Sequence, residues 1–333
     1  MKYTLAIEFG GVYTSIYRKE EGLVLKEPSL ICAKQEGDEY VILAMGNEAK
    51  KMQGKTDDKT YIFSPFGEGK IKAPEYAVEL LNYFLKKIEA KRLIKENAVF
   101  CVSTSLSIEE RKKYIEIFSK CKLGKILIVP SIVCAAEMSG IELNTARTVC
   151  AVHIGGTTTE IALINMNQII KGATLQLGGR SLDVNIANMV ADKYETIISI
   201  ASAQKLKEEI ASLYENDTQS FEVLGADETT GKPKRAIITS ADVKSVIVPF
   251  IEQVVLAIET SINTCAPEIA ADIISNGIFI SGGVSKIAGI EKYLRKALDI
   301  DVKIIEENEN AVILGAGRLL SSSQNLQEIA NKF

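Results

Sequence analysis

The sequence predicts an α/β protein of two related lobes, each built on a mixed sheet flanked by helices. Three observations predict it. The phrase Ala6-Ile7-Glu8-Phe9-Gly10-Gly11-Val12-Tyr13-Thr14-Ser15-Ile16 is echoed by Ala151-Val152-His153-Ile154-Gly155-Gly156-Thr157-Thr158-Thr159-Glu160-Ile161. Each copy is an apolar run, a polar residue, a Gly-Gly turn and a second apolar run, the pattern of a β-hairpin. After each copy, strand-like and helix-like stretches alternate, and 333 residues suffice for two cores.

In the first half, strands are predicted over Tyr3–Glu8, Tyr13–Lys19, Leu23–Leu25, Ser29–Ala33 and Tyr40–Ala44. Residues 46–73 read as polar, irregular backbone. Pro74 suits the first helical position, and Ala77, Leu80, Leu81, Phe84, Leu85 and Ile88 follow at helical spacing. A buried strand over Ala98–Val102 precedes a helix opened by Ser107-x-x-Glu110, a capping-box pattern. A strand over Lys125–Val129 and a helix around Ile132–Met138 close this half.

The second half repeats the order. Strands are predicted over Thr148–His153, Thr159–Ile164 and Gly172–Leu177, and helices at 181–194 and 201–214. A hairpin-like excursion spans 215–239. Ser240 reads as the N-cap of a long helix reaching Thr264, with Pro249 a candidate kink. Strand Gly277–Ile280 runs into Ser281-Gly282-Gly283. Helices near Ile290–Ala297 and over Ala311–Leu320 follow, and the polar tail 321–333 reads as frayed.

Composition narrows the function. Hydrophobic residues at 47% and charged residues at 25% are ordinary for a globular chain. A net charge of −4 argues against nucleic-acid binding. No apolar run of about twenty residues predicts a membrane span. The N-terminus has no signal-peptide organisation. The six cysteines are scattered, with no C-x-x-C pair, as expected of reduced thiols in the cytoplasm. The single histidine, His153, leaves little room for a His-based metal cluster.

The candidate chemistry lies in the turns. Glycine allows close backbone approach, and turn N–H groups form anion-binding concavities. Two matched turns, Gly10-Gly11 and Gly155-Gly156, point to a phosphate chain held between lobes. Gly282-Gly283 offers bare backbone to a nucleoside. Glu8 ends the first strand, where a carboxylate could hold Mg²⁺ through water. His153 takes the matching place in the second repeat and is a poor Mg²⁺ ligand.

These motifs, with Gly22-Leu23-Val24-Leu25-Lys26-Glu27-Pro28-Ser29 and Pro267-Glu268-Ile269-Ala270-Ala271-Asp272-Ile273-Ile274, carry a resemblance. The chain is similar to the actin superfamily of two-lobed ATPases, and within it to the MreB branch of bacterial actins, over Leu5 to Leu320. The resemblance implies an actin-like two-lobed α/β fold, with two ribonuclease-H-like mixed sheets flanked by helices, each lobe with a small subdomain. The first lobe would span 1–145 plus the C-terminal helix 311–330, with its small subdomain about 30–65. The second would span 146–310, with its small subdomain about 181–239.

It also implies roles. Gly10, Gly11, Val12 and Tyr13 match the first phosphate loop; Gly155, Gly156, Thr157 and Thr158 match the second. Gln204 and Lys207 lie in the motif beside the nucleoside, and Gly282 and Gly283 match the adenosine motif. ATP or ADP is the implied cofactor, with Mg²⁺ doubtful. The catalytic positions are degenerate. Glu8 and His153 stand where the family has aspartates, and Ser131 stands where it has a glutamate that positions the attacking water. Gln204 and Lys205 replace paired acids. Losing a water-positioning group commonly costs roughly 10²–10⁴-fold in rate, so weak or lost ATP hydrolysis is expected. Glu137, further along the same segment as Ser131, is a candidate substitute.

MreB-type proteins form filaments and reach the membrane surface. The expected partners are therefore a second copy or another MreB-like protomer, and the cytoplasmic membrane through Leu93 and Ile94, which basic residues flank. Rival readings are an active actin-like ATPase, a non-polymerising adaptor of the FtsA or pilus-assembly type, and a sugar or acetate kinase, for which no substrate-side carboxylate is evident.

Overall fold

The computed structural model describes residues 2–88 and 95–333. The first half opens with β1 (Leu5–Phe9), β2 (Tyr13–Arg18) and β3 (Gly22–Pro28). A small sheet follows from β4 (Ile31–Glu36), β5 (Glu39–Met45) and, after the short helix α1 (Asn47–Lys51), β6 (Thr60–Phe63). The ribbon β7 (Phe66–Gly67) and β8 (Lys70–Ile71) leads into α2 (Pro74–Ile88). Then come β9 (Ala98–Val102), α3 (Ile108–Ser119), β10 (Ile126–Pro130) and α4 (Ser131–Ala136).

The second half runs β11 (Val149–Ile154), β12 (Thr159–Asn165), β13 (Gln168–Leu175), α5 (Gly179–Tyr194), β14 (Thr196–Ile197) and α6 (Ile200–Ile210). The hairpin β15 (Ser220–Asp227) and β16 (Pro233–Thr239) precedes α7 (Ser240–Asn263) and α8 (Pro267–Asn276). β17 (Ile278–Ser281), α9 (Ile290–Leu298), β18 (Val302–Ile304), α10 (Ala311–Leu319) and α11 (Ser323–Lys332) finish the chain.

The sequence repeat is a structural repeat. One five-stranded sheet has the order β10-β9-β1-β2-β3 and the other β13-β12-β11-β17-β18. In each, the strand that leads into a Gly-Gly turn is central. It pairs antiparallel with the next strand and parallel with one that arrives after a helix.

Period-two alternation then assigns the faces. Leu5, Ile7 and Phe9 enter a first-lobe core with Phe84, Phe100 and Phe118. Cys150, Val152 and Ile154 enter a second-lobe core with α5 and α7. Ala6, Val149 and Ala151 point the other way, into a shared core with α4 and α10. These two helices lie between the sheets in backbone contact: a Cβ on Gly315 would fall 1.7 Å from the Cys134 carbonyl oxygen. Glu8 and His153 follow Ala6 and Ala151 on the same face, so both end on the surface shared by the lobes.

Several expectations are corrected. Residues 46–73 hold α1, β6, β7 and β8 rather than irregular backbone, because Ile62 and Phe66 find partners in β4 and Phe9. The helix expected to reach 214 stops at Ile210, where Ser212 bridges to Ala288. The N-cap of α7 is Thr239, not Ser240. Its hydroxyl accepts from the Asp242 N–H and the Asp242 carboxylate accepts back, an Asp version of the capping box. The tail is the helix α11, held by buried Leu326 and Ile329. Helix α8 and strand β18 are additions.

The 24-residue α7 is long and apolar enough, by length and composition, to cross a membrane. Its Val243, Ile247, Phe250, Val254 and Ile258 recur at helical spacing and fill the second-lobe core, which accounts for its apolar character. Of the six cysteines, five are buried, and all six are free.

Candidate functional site: a cleft closed by two glycine turns

The two turns are built alike and touch. Gly10 N–H donates to the Tyr13 carbonyl at 2.9 Å, and Gly155 N–H donates to the Thr158 carbonyl at 2.9 Å. None of Gly10, Gly11, Gly155 and Gly156 has a left-handed φ, so turn geometry does not demand them. Close approach does. A Cβ on Gly11 would lie 2.5 Å from Thr157 Cγ2, and one on Gly156 would lie 2.4 Å from Val12 Cγ2. Each turn thus receives the side chain of the other. The third pair joins them: Gly282, at φ 93°, would place a Cβ 2.2 Å from the Ile154 carbonyl oxygen, while Gly283 has open space above it.

Beneath the turns lie the polar groups. Register places Glu8 opposite Ser15 and Cys101 in the first sheet, and His153 opposite Glu160 and Ser281 in the second. Burial pushes the Glu8 carboxyl up to about 7; the Lys26 charge opposes the rise and Glu160 adds to it. Burial also lowers the His153 imidazole against the pull of Glu160, favouring the neutral ring, and its Nδ1 lies 3.0 Å from Ser281 Oγ.

Glu160 is the hub. Its Oε1 accepts from Ser103 Oγ at 2.6 Å, from the Thr104 N–H at 2.8 Å and from Thr104 Oγ1 at 3.2 Å. Its Oε2 accepts from Ser131 Oγ at 2.6 Å. Ser103, Thr104 and Ser131 belong to the first half of the chain and Glu160 to the second, so one buried carboxylate ties the halves together. Ser131 spends its proton on that bond or on the Val102 carbonyl at 3.1 Å, and is not poised to take a proton from water. Glu137 follows the last residue of α4, beside Arg318. That is about 9 Å of helix from Ser131, so the two are not brought together.

The remaining candidates lie around the rim. Lys207 Nζ donates to Asp183 at 2.6 Å and to the Gly179 carbonyl at 2.9 Å. Gly179 N–H in turn donates to the Gly155 carbonyl, so Lys207 stands one residue behind the second turn. Gln204 points to Glu208 instead, at 2.8 Å. Tyr13 sits between two ammonium groups: Lys26 Nζ is 5.6 Å and Lys50 Nζ 5.4 Å from its ring centroid. A cavity of about 420 Å³ opens beside Thr157, with Arg180 and Ser181 on one side and Ser64 and Glu68 on the other. Leu93 and Ile94 lie outside the described residues.

The donor set does not suit Mg²⁺, which takes hard oxygen ligands. Glu8 is drawn toward its protonated form, His153 is a neutral imidazole, and both oxygens of Glu160 are occupied. Bare glycine backbone, clasped turns and flanking ammonium groups do suit a polyphosphate.

The sequence model of the family MreB/Mbl protein matches residues 2–328. The chain belongs to the MreB/Mbl family. Among curated relatives of this MreB/Mbl protein, the cell shape-determining protein MreB of Escherichia coli (strain K12) is 27% identical over 321 residues, 95% of this chain and 92% of the relative. The cell shape-determining protein Mbl of Bacillus subtilis (strain 168) is 26% identical, with 97% of each chain covered. MreB5 of Spiroplasma citri, solved with AMPPNP, superposes with a TM-score of 0.91 at 24% identity, covering 100% of this chain and 99% of that one. A MamK double helical filament gives 0.79 at 22% identity, covering 96% and 98%. The fold is therefore actin-like.

Two side chains of the candidate site escape sequence reasoning in this MreB/Mbl protein. Glu160 stands in a quoted motif, yet its role emerges only when the turn fixes the register that sets it opposite His153. Lys26 reaches the cleft through a pairing with a register shift between Ile16 and Tyr17, which spacing does not reveal.

Proposed function

We propose that this MreB/Mbl-family protein is a cytoskeletal, filament-forming protein that binds ATP or ADP between its lobes and hydrolyses ATP weakly or not at all. Its filaments would serve cell shape or scaffolding at the cytoplasmic membrane. The observation that carries the reading is the reciprocal clasp of Gly11 on Thr157 and Gly156 on Val12. Only bare backbone lets two such turns close on one another, and glycine turns of this kind offer N–H groups to an anion.

In this reading the turns hold the phosphates and Gly282-Gly283 gives the nucleoside a flat backbone. Lys207 steadies the second turn through Gly179. When bound, the nucleotide supplies a phosphoanhydride whose cleavage needs an oriented water and charge neutralisation. Ser131 donates to Glu160, and Glu160 already accepts four hydrogen bonds, so neither is free to orient that water; His153 is engaged to Ser281 through Nδ1. Bound nucleotide in the Spiroplasma citri relative and the filament of MamK support pocket and assembly by analogy. End-to-end contact between unlike surfaces would give an open filament.

The test pairs phosphate release with sedimentation and electron microscopy, with and without ATP. Filaments without sustained phosphate release are expected. Hydrolysis at the rate of an ordinary bacterial actin would overturn the catalytic half, and monomers in every nucleotide state the cytoskeletal half. The membrane contact is proposed at Leu93 and Ile94. Changing both to Ser should abolish pelleting with anionic liposomes.

A further inference from the structure

We propose that Lys26, in place of a divalent cation, balances the charge of a polyphosphate bound in this cleft. The inference rests on the nucleotide-pocket reading above and assigns the counter-charge within it. Register carries it. Ser15 of β2 lies opposite Glu8 of β1 on one side and Lys26 of β3 on the other. Cys101 of β9 lies opposite Glu8. Cys101, Glu8, Ser15 and Lys26 therefore form one row across the first-lobe sheet, on the face shared with the second lobe.

Lys26 shares this face with Tyr13, two residues before Ser15 on β2. Its ammonium lies beside the ring of Tyr13, the residue whose carbonyl closes the first glycine turn. Lys50 flanks the same ring and donates to the Tyr13 hydroxyl at 3.1 Å.

Lys26 is held across the lobes, but by an over-committed partner. Its Nζ donates to Asn310 Oδ1 at 2.7 Å and pairs with Glu309 at 3.1 Å. Glu309 is also taken by Lys286 at 2.6 Å. Glu309 thus serves two ammonium groups where β3, the segment before α10 and the third glycine turn meet, while the neighbouring Glu307 accepts from Asn310. Lys26 can swing to a phosphate while Glu309 keeps Lys286.

The chemistry of the neighbouring donors points the same way. The two oxygens of Glu160 are filled by Ser103, Thr104 and Ser131, and the place across the cleft from Glu8 is an imidazole. Lysine binds phosphate as a point charge and needs no shell of hard oxygens.

The experiment is a calorimetric titration of ADP into the full chain, in Mg²⁺ and in EDTA, for the wild type, Lys26→Met, Lys26→Arg and Glu309→Gln. Chelation should change the wild-type dissociation constant by less than about threefold. Lys26→Met should weaken ADP in EDTA by about tenfold or more, with Lys26→Arg within a few-fold of wild type. Glu309→Gln, which frees Lys26, should bind equally or more tightly. The proposal is overturned by a wild type that binds ADP only with Mg²⁺, by a Lys26→Met that binds like wild type, or by a Glu309→Gln that reproduces the loss, since Lys26 would then act only as a bridge between lobes. A wild type that binds no ADP in either buffer overturns the nucleotide-pocket reading as well.

Discussion

Glu8 shows what one displaced carboxylate costs. The folded protein holds its proton up to about pH 7, while the unfolded chain releases it near 4.5. Between those values the native state binds more protons than the unfolded one, so this group's contribution to stability falls as pH rises and levels off above 7. Such a difference corresponds to roughly 3 kcal/mol at pH 8. Glu8→Gln should therefore raise the melting temperature at pH 8 and leave it nearly unchanged at pH 5. Equal shifts at both values would show that the charge is not the cause. The position of Glu8 was legible from the repeated phrase, because a strand ending in Gly-Gly fixes which residue comes last before the turn. Its companions were not. Glu160 lies opposite His153 only once Gly155 and Thr158 are known to pair, and Lys26 is reached across an irregular register.

At the scale of elements, the strands and helices that were legible carry a strong local period. Val99, Phe100 and Cys101 form a continuous buried run, and Ser107 with Glu110 announces α3. What escaped is stabilised from outside. In the tail 321–333 Leu326 and Ile329 are buried, with Ala330 and Phe333 partly so, too sparse a stripe to outweigh its polar composition. The glycines of the two Gly-Gly turns were read as turn formers, yet their φ values are ordinary and the constraint comes from the other lobe. Gly315 extends the same lesson to a helix. It sits mid-α10, where glycine costs about 1 kcal/mol relative to alanine, so alanine should be preferred on propensity alone. The Cys134 carbonyl forbids it, at 1.7 Å from the Cβ that alanine would add. Gly315→Ala should then destabilise the protein by about 1–3 kcal/mol, as overpacking does, read as a lowered urea midpoint. A gain in stability would mean that α4 and α10 part more easily than their contact implies.

At the scale of the whole molecule, the apolar core around α4 and α10 and the polar knot at Glu160 join the halves, together with the clasped turns and the Lys26 contacts. Ser131, placed by the resemblance at the family's glutamate position, gives its proton to Glu160 in this knot. A glutamate at 131 would set two carboxylates against each other and remove a donor, so under the proposed function Ser131→Glu alone should not raise phosphate release. The knot itself can be dissected. In Glu160→Gln the retained oxygen still accepts from Ser103 and Thr104. Ser131 can turn its proton to the Val102 carbonyl, 3.1 Å away, and accept from the new amide. In Glu160→Ala, Ser103, the Thr104 N–H and Thr104 Oγ1 lose their acceptor in a buried site, and hydrogen bonds to a charged group are worth about 1.5–3 kcal/mol. Glu160→Ala should cost about 3 kcal/mol or more, with faster proteolysis in the 103–107 segment, while Glu160→Gln should cost about 1 kcal/mol. If the two variants unfold alike, the four donors are not what holds the lobes together, and the apolar core around Gly315 and the clasped turns must do so.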